Sequence, residues 1–206
     1  MPTDVTFVEV KNAFQAIAGL ESLTAADEFF FTSSLNRAVH RAYNESDSWP
    51  RYIVVGESRS VLTDPASTVP YAETGKNTIE EFLRIHRGEP FLRNSEIEFE
   101  FYVDSAGAHI INLITSDSTA VFVTYKKQLT AGFTPDSTDI PSEFVDYIIY
   151  TALSDFYTGD GQTEKAATAA AQANLMLDLE LLRLDKKANN NTINKKFSTY
   201  VNRQAR

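Results

Sequence analysis

The sequence predicts an α+β fold: an antiparallel bundle of about four helices, an antiparallel β module inserted into it, and an extended C-terminal tail. Three observations lead there. Apolar residues recur three and four apart in two stretches near the N-terminus and two more between Asp139 and Asp185. Between Tyr52 and Leu129 that period gives way to alternation, which belongs to strands. Gly159-Asp160-Gly161 then separates the last two helical stretches, so those two run antiparallel. The implied parts are N-terminal helices over 1–49, a β module over 50–130, a helical hairpin over 139–187 and a tail over 188–206.

Phe7, Val10, Phe14 and Ile17 make one face of a first helix, capped by Asp4 or Thr6 and ended by Gly19. A second helix follows Thr24, with Asp27 and Glu28 at the positive end of its dipole and Phe31, Leu35, Ala38, Val39, Ala42 and Tyr43 buried. Trp49-Pro50 forbids helix at Trp49, because proline disfavours the α conformation in the residue before it.

In the β module, Tyr52 to Val55 and Arg59 to Leu62 read as two short strands around Gly56-Glu57-Ser58. Asp64 to Gly75 reads as a surface loop, and Glu81 to Ile85 as a strand. Ile97, Phe99, Phe101 and Val103 alternate with Glu96, Glu98, Glu100 and Tyr102, the pattern of a strand with one wet face. With His109 to Ile114 and Ala120 to Tyr125 it is expected to form a three-stranded meander.

Ile140-Pro141 opens the third helix, since proline at the first helical position gives up only an amide that lacked a partner there. Its apolar stripe runs from Phe144 to Tyr157. The fourth, from about Thr163 to Lys187 and capped by Asp160 or Thr163, has two apolar tracks. Ala166, Ala169, Ala170 and Ala173 permit close approach of a neighbour, and Leu177, Leu181 and Leu184 continue that face. Leu175, Met176, Leu179 and Leu182 form the second. A helix apolar on two sides needs two neighbours, either both within the chain or one of them another subunit.

At 206 residues, 43% of them hydrophobic, the chain is long enough for a proper core. Cysteine is absent, which excludes disulfides and thiolate chemistry. No apolar run approaches the ~20 residues of a membrane span, and Met1-Pro2-Thr3-Asp4 lacks the basic start of a signal peptide. A protein made in the cytosol, with no membrane partner, is expected. Its charge is polarised. Residues 186–206 carry Lys186, Lys187, Lys195, Lys196, Arg203 and Arg206 and no carboxylate. Setting those six aside leaves 13 basic against 28 acidic residues, a net −15 over 1–185. Such a body repels DNA, and a basic tail suits docking on an acidic partner.

Chemistry-bearing patterns are sparse. His40, His86 and His109 lack ligand spacing, so no metal or other cofactor is expected. No nucleophile elbow or phosphate-binding glycine loop occurs, and Tyr157 stands where a calcium loop begun at Asp155 needs an oxygen ligand. Glu96, Glu98 and Glu100 share one strand face, whereas glycosidase acids normally come from separate elements. No enzyme is expected.

The order of parts carries a resemblance. A helical pair ending in Trp49-Pro50 is followed by a β insertion that contains Phe82-Leu83-Arg84-Ile85-His86-Arg87 and Val123-Thr124-Tyr125-Lys126-Lys127. Then come Ile140-Pro141-Ser142-Glu143-Phe144, Tyr147-Ile148-Ile149-Tyr150, Gly159-Asp160-Gly161-Gln162 and the alanine-rich helix. Over residues 6–187 this resembles the head-to-tail adaptor (connector) proteins of tailed bacteriophages, of the tail tubular protein A type. The resemblance implies a structural virion protein forming a homo-oligomeric ring, commonly of twelve copies, in the neck or tail. Such a ring binds the portal protein, meets a downstream tail or nozzle protein, and extends the channel through which DNA leaves without sequence-specific contact. It implies no catalytic residue. It assigns portal binding to the tail segment Ala188 to Arg206, here Lys195, Lys196, Phe197, Tyr200, Arg203 and Arg206, and subunit packing to the helix of Ala166, Ala169, Ala170, Ala173 and Leu177. Two other readings stand beside it: a tail-completion or stopper protein of the neck, and a carbohydrate- or receptor-binding module in which the β insertion, with Trp49 and Tyr102, holds the ligand.

Overall fold

A computed structural model describes residues 4–63, 66–89, 96–103, 109–114, 120–129 and 132–204, with side chains described up to Lys186. The fold is α+β and forms two compact units. Residues 1–46 and 130–206 make a helical unit, and residues 47–129, inserted between them, make a β unit.

The helical unit begins with β1 (Asp4–Val5), α1 (Phe7–Ala18) and α2 (Ala25–Asn44). Both helices start where local chemistry dictates. Thr6 accepts from the Glu9 amide while the Glu9 carboxylate accepts from the Thr6 amide, and Thr24 and Asp27 repeat that reciprocal box. Gly19, at φ 72°, ends α1 in the left-handed conformation that glycine adopts without penalty. Phe31 of α2 packs between Phe7 and Phe14 of α1, at 5.5 and 4.9 Å between ring centroids.

The chain returns to this unit with β9 (Ile140–Pro141), a 3-10 turn (Ser142–Phe144), α3 (Val145–Gly159) and α4 (Thr163–Gln204). Pro141 therefore does not open a helix. At φ −61° and ψ 119° it is extended and pairs with Asp4, and the α-helix starts at Val145 after the 3-10 turn. Proline's fixed φ serves an extended residue as well as a helical one. Gly161, at φ 73°, turns the chain between α3 and α4, and Thr163 is the first residue of α4 rather than its cap. α3 is central, packed on α1, α2 and α4.

The tail expected to be extended is helical as far as Gln204. Residues 162–206 contain neither glycine nor proline, and Asn189 to Asn191 weaken a helix without ending it. At ~1.5 Å per residue, α4 is about 63 Å long against about 22 Å for α3, so much of α4 has no α3 beside it.

The β unit contains β2 (Ile53–Ser60), β3 (Leu62–Thr63), β4 (Ala66–Val69), β5 (Ile79–His86), β6 (Phe99–Val103), β7 (His109–Leu113) and β8 (Ala120–Lys127). Two antiparallel sheets, ordered β2-β8-β5 and β3-β4-β7-β6, share one core containing Val69, Phe82, Ile85, Ile111, Val121 and Val123. The strand expected at Glu81 to Ile85 is present as β5.

Three expectations fail here. Tyr52 to Leu62 does not hold two short strands about a turn: β2 is continuous, with a bulge at Val54/Glu57 and Gly56 at φ 65°. The stretch expected as a loop contains β4. The meander is absent, because β8 leaves β7 and runs between β2 and β5 while β7 pairs with β4 and β6. Its apolar run Val121 to Tyr125 suits a central strand, with no position but its first exposed.

Candidate interaction surfaces

The two apolar tracks of α4 have different fates. Ala166, Ala169, Ala173 and Leu177 are buried and Ala170 is half-buried, with the Ser154 hydroxyl of α3 donating to the Ala166 carbonyl at 3.0 Å. Small side chains let α3 approach. This track, expected to pack subunits, is thus covered within the helical unit itself. The other track is open: Leu175, Leu179 and Leu182 are 49%, 42% and 53% exposed, with Asp178 and Asp185 exposed among them. The face available to a second molecule is the leucine face.

A second open apolar site lies on α2. Phe29 is 79% exposed and Phe30 is exposed beside it, while Phe31 is buried. Successive helical residues are ~100° apart, so three consecutive phenylalanines cannot all face one core. The run Phe29-Phe30-Phe31 is the sequence signal of such an exposed aromatic site. A shallow groove of about 540 Å³ also opens beside α3 and α4, with Leu153 and Ala169 among its lining residues and Tyr150, Tyr157 and Ile17 around them.

The residues expected from the sequence to contact a portal, Lys195, Lys196, Phe197, Tyr200 and Arg203, lie on the helical backbone of α4, but their side chains are outside the described residues, as is Arg206 altogether.

In the β unit, Glu96, Glu98 and Glu100 are exposed, as one wet face requires. The apolar face of the same strand divides. Ile97 is buried, Phe99 half-buried and stacked edge-on with Phe101, and Phe101 and Val103 are exposed at the sheet edge. Trp49 is 1% exposed, so it cannot serve as a stacking platform for a sugar; Tyr102's side chain is outside the described residues.

The polar interior of this unit was not anticipated. Arg59 is fully buried, 2.7 Å from the Glu57 carboxylate, and donates to the Tyr125 hydroxyl at 3.0 Å. Tyr125 in turn donates to Glu57 at 2.9 Å, and burial pushes its pKa up. The Arg59 Nε and Nη1 have no hydrogen-bond partner among the described residues. The bulge in β2 explains how an arginine came inside, since one extra residue reverses which side chains point to the core. Lys126 is also buried, 3.0 Å from Asp47, and stands opposite Glu81 in the β5–β8 ladder. Burial raises the Glu81 pKa, and a hydrogen bond shared with Asp47 raises it further.

The ion pairs and hydrogen bonds named here are all made within the β unit, to its strands and to Asp47 in the turn before β2. No group of three His, Cys, Asp or Glu positioned for a metal occurs among the described residues. No helix among them is long and apolar enough to cross a membrane. Compared with models of known protein families and with curated proteins, the chain matches none.

Proposed function

We propose that this chain is a structural virion protein, an adaptor ring set between the portal and the tail of a tailed bacteriophage. The observation that carries the reading is α4. It outruns its partner α3, keeps a leucine face open, and leads into a segment with six basic residues and no acidic one. A helix of that build has too little cover of its own and suits lateral and axial contacts in an assembly. The β insertion between helices, and the motifs quoted above, supply the family direction. The net −15 of residues 1–185 suits a conduit whose wall does not retain passing DNA. In this reading the basic end of α4 docks on the portal, the β unit meets neighbouring tail proteins, and the protein resides in the neck or tail of the virion.

Removing residues 188–206 tests the axial contact. The expected result is an unchanged melting temperature and loss of binding to the portal protein of the same genome, measured by co-sedimentation. Portal binding at native affinity by the truncated chain sinks the docking assignment.

A further inference from the structure

The helical unit presents two open apolar faces that are turned away from each other. On α3, Asp155 accepts from the Ser34 hydroxyl of α2 at 2.9 Å and pairs with Arg37, and Phe156 meets Phe14 of α1 edge-on. Ser154 and Tyr157 instead meet α4, through the Ala166 carbonyl and through Lys165 lying 5.4 Å from the Tyr157 ring. At ~100° per residue, positions 154 and 157 lie opposite 155 and 156. So α1 and α2 cover one side of α3 and α4 covers the other.

The two outward faces also differ in charge. That of α2 carries Phe29, Phe30, Ser33, His40 and Arg41, all exposed, with the exposed Arg37 at its edge already tied to Asp155 of α3. Asp27 and Glu28 are half-buried and engaged, one in the helix cap and the other with Lys11 at 2.7 Å. The face of α4 sets Leu175, Leu179 and Leu182 among Asp178 and Asp185, with Arg183 tied to Glu180 and Lys186 at its far end. Phe29 to Arg41 spans about 18 Å of helix and Leu175 to Asp185 about 15 Å.

We propose that the leucine face of α4 docks on the Phe29/Phe30 face of α2 in a second copy of this chain, head to tail. Each face offers what the other lacks: aromatic surface with Arg41 against leucines flanked by Asp178 and Asp185. Pairing α4 with α4 about Leu179 instead would bring the exposed Asp178 carboxylates of both copies close together. Because the two faces are different and point apart, each copy leaves one face open for the next, the condition for a ring or filament rather than a closed dimer. The inference deepens the adaptor reading by naming the faces, and it rests only on that reading's premise of self-association.

The chain has no cysteine, so introduced thiols are unique probes. Full-length Phe29→Cys and Leu179→Cys, both at exposed positions, are mixed in equal amounts and oxidised. Random collision gives a disulfide-linked heterodimer as half of the product. Head-to-tail docking is expected to raise it well above half, and 1 M salt to lower that excess. A statistical mixture overturns the proposal, as does faster linking within Leu179→Cys alone, which would mark an α4–α4 contact. Portal binding is read separately. A heterodimer excess without portal binding keeps the faces and removes the adaptor, whereas portal binding with a statistical mixture keeps the adaptor and removes the faces.

Discussion

Both sides of α4 are apolar, but one is buried within the chain and the other is open. The inner side uses alanines, so that α3 lies close, and Ala173 is 3% exposed. The outer side uses leucines, larger and more apolar, yet these remain open. Side-chain size shows how near a neighbour can come, not whether one is there. What decides burial is the position of α3, a property of the whole helical unit. An apolar helix face without cover in its own chain is where a further contact is to be sought.

Substitutions on the two sides should therefore separate folding from assembly. Ala173→Glu places a carboxylate between α3 and α4 and is expected to destabilise the monomer by about 4 kcal/mol, read by urea unfolding. Ala169→Glu should behave alike. A loss near zero for either would mean that the inner side is not core. Thr6→Ala gives a yardstick in the same unit, remote from both sides. Losing that reciprocal cap is expected to cost about 1 kcal/mol.

Leu179→Glu is expected to shift stability by no more than about 0.5 kcal/mol, as exposed positions do. It should nonetheless abolish self-association in sedimentation velocity. If it unfolds the chain instead, the outer side is part of the fold and the contrast between the two sides fails.

The smallest expected effect is a control in the β unit. Burial and Asp47 raise the Glu81 pKa in the folded chain. The folded state then binds that proton more tightly than the unfolded one, so stability falls as pH rises from the ordinary glutamate value of ~4.3 through the raised one. Glu81→Gln removes this loss. The variant should be more stable than wild type at pH 7, gain nothing at acid pH, and leave assembly unchanged; equal urea midpoints at both pH values would refute the assignment.

What the sequence made legible was local. The caps at Thr6 and Thr24, the stop at Gly19 and the reversal at Gly161 each rest on residues within a turn of one another, so spacing alone exposes them. Strand partnership is not local. The short spacing between His109 to Ile114 and Ala120 to Tyr125 suggests a hairpin, but whether β8 pairs with β7 or joins β2 and β5 depends on residues some seventy positions away. The buried Arg59 was hidden because a bulge at Gly56 reverses the alternation from which burial is read.

Both apolar tracks of α4 are legible in the sequence, but not that the alanine track is the one covered within the chain and the leucine track the one left open. Telling them apart needs the reach of α3. The helical course of 188–204 is hard to read locally, because Asn189 to Asn191 have low helix propensity even though residues 162–206 contain neither glycine nor proline. Phe29 and Phe30 were legible in principle from helix geometry.

The most direct test of the adaptor account is native mass spectrometry of the full-length protein, alone and mixed with the portal protein of the same genome. The account predicts that copies of this chain assemble on the portal as a ring of many subunits, with a mass equal to the portal plus a whole number of chains. A small oligomer that stays the same whether or not the portal is present would contradict it.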